Sequence, residues 1–298
     1  MTVLLSGCGD VGLRLIRQLQ AKSGAVRVIA TARRAEQLDA IRAAGGRALV
    51  VDLDQRDSLR RLQAFGRRVV HLAPPPSGGP DDARSRRLIA ALSQGRPGQV
   101  GRHWVYVSTT GVYGDCEGAR IEETRPLDAR TDRALRRVAA ERLFRQASRT
   151  GLAASAILRA PGIYAADRLP VDRLRAGMPA LIASEDVWTN HIHAEDLATC
   201  CWVALFRGRP GRAYNAVDDS DQMMGEYFDQ VADSLGLARP PRLPRTELAR
   251  RVSPMMLSFM QESRRIGNRR LREELRVRFR FPTVASQLAL LDYRSSLV

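Results

Sequence analysis

Along the first half of the chain, short apolar runs alternate with amphipathic stretches in a regular order. Residues 3–6, 26–31, 48–51, 69–73, 104–108 and 155–158 read as strands, each apolar on both faces. Between them, residues 11–22, 36–44, 58–64, 84–93 and 131–148 carry apolar positions at helical spacing. Gly45-Gly46 stops the second helix, and Pro74-Pro75-Pro76 halts the fourth strand. Strands without a polar face belong in a parallel sheet covered on both sides. Strict strand–helix alternation predicts an α/β fold, a doubly wound parallel sheet with right-handed crossovers.

The second half is less regular. Residues 194–206 form a helix with Leu197, Cys201, Ala204 and Leu205 on one face and Glu195 and Asp196 in the first turn. Residues 213–217 read as a further strand and 224–235 as a helix ending at Gly236. Arg239-Pro240-Pro241 and Pro244 make a rigid loop. The tail, 248–280, reads as helical, rich in Arg and Met, and ends before Pro282. No repeat and no long Pro/Gly linker interrupts the chain. The expected division is a nucleotide-binding domain over 1–165, with 191–218 packing back onto it, and a small C-terminal substrate lobe from 166–190 and 219–298.

The turn after the first strand carries the most specific chemistry. Gly7-Cys8-Gly9-Asp10-Val11-Gly12 fits the G-x-G-x-x-G of a dinucleotide site, with a strand before it and a helix after it. Gly7 permits the tight turn, Gly9 lets the backbone approach a pyrophosphate, and Gly12 lets the helix pack on the strand. The helix N-terminus offers free N–H groups to the phosphates. The sheet is therefore expected to be Rossmann-type.

Composition changes this picture little. In 298 residues, 44% hydrophobic content supports a sizeable core. No apolar run is long enough for a transmembrane helix. The first strand starts almost at Met1, which leaves no room for a signal peptide. The four cysteines, Cys8, Cys116, Cys200 and Cys201, show no metal-ligand spacing and read as reduced thiols in a cytoplasmic protein; no metal is expected. The formal charge of +16 suggests nucleic acid, but Lys22 is the only lysine, and the Arg and Ala excess reads as codon bias. With no zinc finger, helix-turn-helix or aromatic RNA motif, a phosphorylated small molecule is the better partner for that charge, and neither nucleic acid nor membrane is expected.

Cofactor choice is read at the end of the second strand. An NAD site usually carries an acid about 20 residues past the glycines. Here the strand ends Ala30-Thr31-Ala32-Arg33-Arg34, and two guanidiniums suit a 2′-phosphate. NADP(H) is therefore expected in preference to NAD(H). Asp52, past the third strand, is a candidate acceptor for the adenine amino group, and Leu53, Leu72, Ala73 and Pro74 are expected to border the cofactor as well.

The order of motifs now resembles the short-chain dehydrogenase/reductase superfamily, in the extended or atypical branch of NAD(P)-dependent epimerase/dehydratase proteins. Val107-Ser108-Thr109-Thr110-Gly111-Val112-Tyr113-Gly114 is similar to the family's strand-five segment, where a Ser or Thr four residues before the Tyr contacts the reacting oxygen; that position is Thr109. Residues 157–164, with Pro161 and Tyr164, resemble the segment that turns towards nicotinamide and substrate. Residues 190–198, from Asn190 through His193, resemble the family's histidine-bearing helix entry, and Tyr214-Asn215 its late strand. The spacing of the glycines points to the atypical branch.

One departure stands out. The family's Tyr and the Lys four residues on share one helix face. Anchored on Ala139-Ala140-Glu141, the alignment puts Arg133 and Arg137 at those positions, and 131–148 contains no tyrosine. Arg137 can still hold ribose and phosphates, but an arginine cannot shuttle a proton. Tyr113, Tyr164, His193 and Asp196 are candidate replacements, with Ser108 and Thr109 as hydroxyls of the catalytic edge. In the tail, Arg264, Arg265, Arg269 and Arg270 are candidates for a phosphate-bearing substrate, with Arg265 the chosen one. The resemblance implies an NADP(H)-dependent oxidoreductase or epimerase/dehydratase acting on a hydroxyl/carbonyl substrate, such as a nucleotide sugar. The alternative is a non-catalytic NADP(H) sensor. Helices 84–93 and 131–148 are where the family builds a homodimer.

Overall fold

The computed structural model describes residues 1–23, 25–94 and 101–295, so the last three positions expected in the C-terminal lobe lie outside the described residues. The centre is a seven-stranded, all-parallel sheet. In chain order its strands are β1 (Thr2–Ser6), β2 (Arg27–Ala32), β3 (Arg47–Val50), β4 (Arg68–His71), β5 (His103–Thr109), β6 (Ala154–Ala160) and β7 (Ala213–Asn215). Across the sheet the order is β7-β6-β5-β4-β1-β2-β3. Successive strands are added outward in one direction from β1 and in the other from β4, so the loops after those two strands part and leave a crevice at the carboxyl edge.

Strand alternation decides which helix covers which face. Val3, Leu5, Val28, Ala30, Val70, Val105 and Leu158 point to one side. They pack there against α1 (Asp10–Ser23), α2 (Ala35–Ala43) and α5 (Ala194–Arg207). Leu4, Ile29, Val69, Trp104 and Ile157 point to the other side, onto α3 (Ala83–Ser93) and α4 (Asp132–Arg149). The expected helix over 58–64 is a 3-10 helix, Asp57–Phe65, on that second face.

A separate apolar cluster forms beyond the carboxyl edge. Leu174, Leu181, Leu248, Met260 and Leu288 pack around Tyr227, Phe228 and Val231 of α6 (Met224–Ser234). The tail is not the continuous helix read over 248–280. It breaks into Arg245–Leu248, α7 (Pro254–Phe259), a two-residue strand Arg265–Ile266, and α8 (Arg269–Glu273), before α9 (Val284–Ser295). Ser253 caps α7 and Pro254 sits in its first turn, so that helix starts afresh. Arg265–Ile266 pairs in parallel with Arg120–Ile121, which draws the segment out of helix. Leu271, Leu275 and Val277 then return to the first face of the sheet. Asp196 holds them there, its carboxylate accepting the N–H groups of Arg280 and Phe281 at 2.8 Å each. Asp196, one of the candidate replacements for the tyrosine, is 2% exposed and committed to this brace.

Candidate functional site

A cleft of about 470 Å³ opens along the carboxyl edge, and the glycine turn forms its floor. Gly7 sits at φ +82°, and a Cβ there would lie 2.5 Å from the Cβ of Ala73. A Cβ on Gly12 would meet the Cys8 sulfur at 2.8 Å. A Cβ on Gly9 would meet nothing within 4 Å, because it would project into open cleft. That is the cradle a pyrophosphate requires, with the first N–H groups of α1 beside it. Cys8, Asp10 and Val11 line the cleft with them, and burial pushes the Cys8 thiol up to about 12, so it fills space as an inert neutral group. Asp10 would oppose a phosphate, but Arg14 and Arg168 neutralise it at 3.0 and 2.9 Å. Burial favours its neutral form, and those two hydrogen bonds outweigh burial and lower its pKa. Arg168 itself lines the cleft, a cation that sequence reasoning missed because it arrives on the short 3-10 helix Ala166–Arg168, distant in sequence from the glycine turn.

At the far end stand Arg33, Asp52 and Leu53, with Leu72, Ala73 and Pro74 forming the neighbouring wall. Arg33 is 58% exposed and lies 3.9 Å from Asp52 and 3.8 Å from Asp54. These separations exceed hydrogen-bond length and leave the guanidinium fork open. Asp54 is instead held bidentately by Arg84 at 2.9 and 2.6 Å. Arg34 does not reach the cleft; it is the exposed residue that precedes α2.

The middle of the cleft belongs to the end of β5. Thr109, Ser108 and Pro161 border it, and Arg137 reaches it from α4. Arg137 donates to the Val107 carbonyl at 2.8 Å and the Tyr106 hydroxyl at 3.1 Å, which fixes its cation beside the strand end. Thr109 Oγ1 accepts the Gly111 N–H at 3.2 Å, and among the described residues no acceptor takes its hydroxyl hydrogen. Ser108 differs: its hydroxyl donates to Glu141 at 2.7 Å and is 3% exposed. Tyr113, expected at the catalytic edge, lines neither cavity. It is 1% exposed, donates to Asn215 Oδ1 at 2.6 Å, and accepts from Arg159 at 2.7 Å. Burial pushes its phenol up to about 12. Its position follows from the 3-10 turn Thr110–Tyr113, which carries the ring inward under β6.

A second cavity, also about 470 Å³, adjoins the first; Thr109 and Pro161 border both. Its walls come from the C-terminal cluster and the start of α4. Arg133, in the position of the missing tyrosine, lines it with its guanidinium 4.6 Å over the Phe259 ring. Asn190 is at the wall too, but its amide braces the tail, donating to the Arg264 carbonyl at 2.8 Å and accepting from Ile266 N–H at 2.9 Å.

Three further expectations are corrected here. His193 lines neither cavity: it is 3% exposed and caps α5, its Nδ1 accepting the Glu195 N–H at 3.2 Å. Tyr164 is 1% exposed, set edge-on between His191 and His193. Arg265 stacks on the outer face of Trp188 at 4.1 Å and pairs with Asp221, because pairing with the 120–121 strand turns it outward. Arg264, one residue earlier, faces the cavity instead; Arg270 pairs with Glu123 and Arg269 with Glu273.

The sequence also gave no signal for His191. It lines the second cavity at 5% exposure, its ring 4.2 Å from that of Tyr227. Burial lowers its pKa to about 3, so the ring is neutral. Among the described residues, no group of three or more His, Cys, Asp or Glu is arranged to hold a metal ion, and no helix is long and apolar enough to cross a membrane.

Residues 3–216 match the NAD dependent epimerase/dehydratase family. A conserved protein of Silicibacter pomeroyi, described as functionally unknown, is 30% identical with TM-score 0.79, and the match covers 99% of both chains. dTDP-glucose 4,6-dehydratase of Bacillus anthracis, in complex with NAD, superposes with TM-score 0.79 at 16% identity, over 100% of this chain and 97% of that one. UDP-glucose 4-epimerase of Thermus thermophilus, also with NAD, gives 0.74 at 20% identity, over 99% and 100%. At such identities the last two establish the fold. No curated protein sequence matches the chain significantly.

Proposed function

The chain belongs to the NAD dependent epimerase/dehydratase family, NAD(P)-dependent enzymes of the short-chain dehydrogenase/reductase type, and from that premise we propose that it uses NADP(H) to act on a hydroxyl or carbonyl group held in the second cavity. The observation that carries the reading is Thr109. It borders both cavities, and its hydroxyl hydrogen is uncommitted where the two meet.

The residues of the first cleft fit the cofactor. Gly9 and the N-terminus of α1 would take the pyrophosphate, with Arg168 as its counter-charge. Arg33 would take the 2′-phosphate, since β2 ends without an acid and the Arg33 fork is held only by two long ion pairs. Arg137, fixed to the end of β5, would hold the ribose hydroxyls by position and charge. When bound, the nicotinamide accepts or supplies a hydride. Thr109 would donate a hydrogen bond to the substrate oxygen and favour charge building there. Arg133 and Arg137 cannot exchange a proton at neutral pH, so this chain orients and polarises without the family's tyrosine.

The names of two structural neighbours make a nucleotide sugar the first substrate class to test. The test is absorbance at the reduced-nicotinamide band, with NADPH or NADP+ and a panel of nucleotide sugars and simple carbonyl compounds. Substrate-dependent change that Thr109→Val lowers by about tenfold or more is expected. Tight NADPH binding with unaltered turnover in Thr109→Val would remove the assignment of Thr109. A protein that binds the cofactor and turns over nothing across the panel would favour the sensor.

A further inference from the structure

We propose that the second cavity takes an anionic aromatic oxo or hydroxy acid, with Arg133 as the anchor for its carboxylate. The proposal rests on the reading of this cavity as the substrate site and names the class of substrate.

The walls are the first argument. Trp188, Met224, Tyr227, Phe228, Met256 and Phe259 surround the space. Such a lining of aromatic rings and thioethers suits a flat apolar body. A sugar presents hydroxyls that must each find a partner, and a hydroxyl buried without one is costly.

The larger polar side chains at the wall are engaged within the protein. Asn190 has both ends of its amide engaged with the tail backbone. Arg264 donates to the Gly114 carbonyl and to Glu262 at 2.8 Å, so those two charges cancel each other. His191 is neutral and nearly sealed, its Nδ1 buried without a partner among the described residues. A buried acceptor without a partner is tolerated better than a buried N–H without one, which places the ring proton on Nε2. That edge lies beside Gly162, where a Cβ would come within 3.5 Å of Cδ2 and 4.0 Å of Nε2. With the hydroxyls of Thr109, Thr110, Thr131 and Thr189 at the same walls, the donors here other than the two arginines are neutral.

Arg133 is the remaining cation. Among the described residues no carboxylate lies within ion-pair distance of it, although most arginines near the site are paired. Its guanidinium rests on the Phe259 ring at the cavity wall, with the fork unoccupied. A guanidinium stacked on an aromatic face keeps its in-plane donors for a carboxylate. The site that holds a tyrosine in the family pattern has become an anion anchor.

The full-length protein is titrated calorimetrically with phenylpyruvate, 2-phenylethanol, pyruvate and UDP-glucose, each with and without saturating NADP+. Phenylpyruvate is expected to bind at least tenfold tighter than the other three. Arg133→Gln should cost phenylpyruvate at least tenfold and leave 2-phenylethanol unchanged, and Arg133→Lys should recover part of the loss. Arg133 is exposed, so both variants should keep the wild-type melting temperature. UDP-glucose as the tightest ligand, or phenylpyruvate indifferent to Arg133→Gln, would overturn the proposal. Absence of phenylpyruvate binding in a protein that binds NADPH would overturn it too, while leaving the cofactor reading intact. Failure to bind NADPH would remove the cofactor reading, and the cofactor-free titrations would still decide this one.

Discussion

Arg159 on β6 and Glu141 on α4 form a bidentate ion pair at 2.8 and 3.0 Å, with side chains 2% and 0% exposed. The pair gathers the residues that sequence reasoning placed in the catalytic edge. Ser108 donates to Glu141, Tyr113 accepts from Arg159, and Tyr113 in turn donates to Asn215. Five side chains from β5, the turn after it, α4, β6 and β7 thus satisfy one another beneath the cleft. A buried charge is tolerable only when paired and hydrogen-bonded, so these groups serve the position of the β5 end, where Thr109 stands.

Glu141→Gln should therefore act on stability. It leaves Arg159 charged and half-partnered in the core, which costs about 3–5 kcal/mol. Urea unfolding would measure it. The double variant Glu141→Leu with Arg159→Met should lose less than Glu141→Gln alone, because no uncompensated charge remains.

The glycines of the turn should separate stability from binding. Gly7→Ala combines a left-handed φ of +82° with a 2.5 Å clash and should lower the melting temperature sharply. Gly9→Ala has free space, so the protein should stay folded while NADPH affinity falls by about tenfold or more as the methyl fills the phosphate cradle. Thermal melts and NADPH fluorescence titration read the two effects. Unchanged NADPH affinity in Gly9→Ala would show that the cradle is elsewhere.

Arg33 should set the cofactor preference. Arg33→Ala is expected to weaken NADPH about tenfold and to leave NADH within a factor of two to three. Equal binding of the two cofactors by the wild type would contradict the reading of the β2 end.

Acid should destabilise the fold. Burial lowers His71 to about 4, His191 to about 3 and His193 to about 4. Each binds a proton in the unfolded chain before it does in the folded one, so stability falls as pH drops from about 6.5 through 4. Asp218 works in the opposite sense: burial raises it to about 7, so its contribution is full below the unfolded value and is lost as pH rises through about 7. Asp218→Asn should steepen the acid loss and stabilise the protein at pH 8 relative to pH 5. Melting temperature against pH for both proteins is the measurement, and parallel curves would contradict the Asp218 assignment.

Much of the lining of the first cleft was legible because its signals are local. The glycine turn, the strand-end arginine and the proline after β4 each depend on neighbours a few residues away, and Gly7, Gly9, Gly12, Arg33 and Pro74 all border one cleft. Arg34 was misread because one residue of strand alternation and the entry into α2 turn it outward. Arg265 and Arg264 were exchanged for a similar reason: their direction is set by pairing with residues 120–121, distant in sequence.

The sequence by itself determined the strand–helix alternation of the first half, the parallel sheet and the glycine turn after β1, since apolar periodicity and glycine spacing act over a few residues. The family resemblance also implied that Arg133 and Arg137 stand where a tyrosine and a lysine are expected. Only the tertiary structure decided that Tyr113 is locked against Asn215 and Arg159, that His193 caps a helix while His191 faces the cavity, and that Arg133 has no carboxylate partner among the described residues. Side chains with several donors or acceptors take their role from whichever partners packing brings within about 3 Å, and those partners come from segments far apart in the chain.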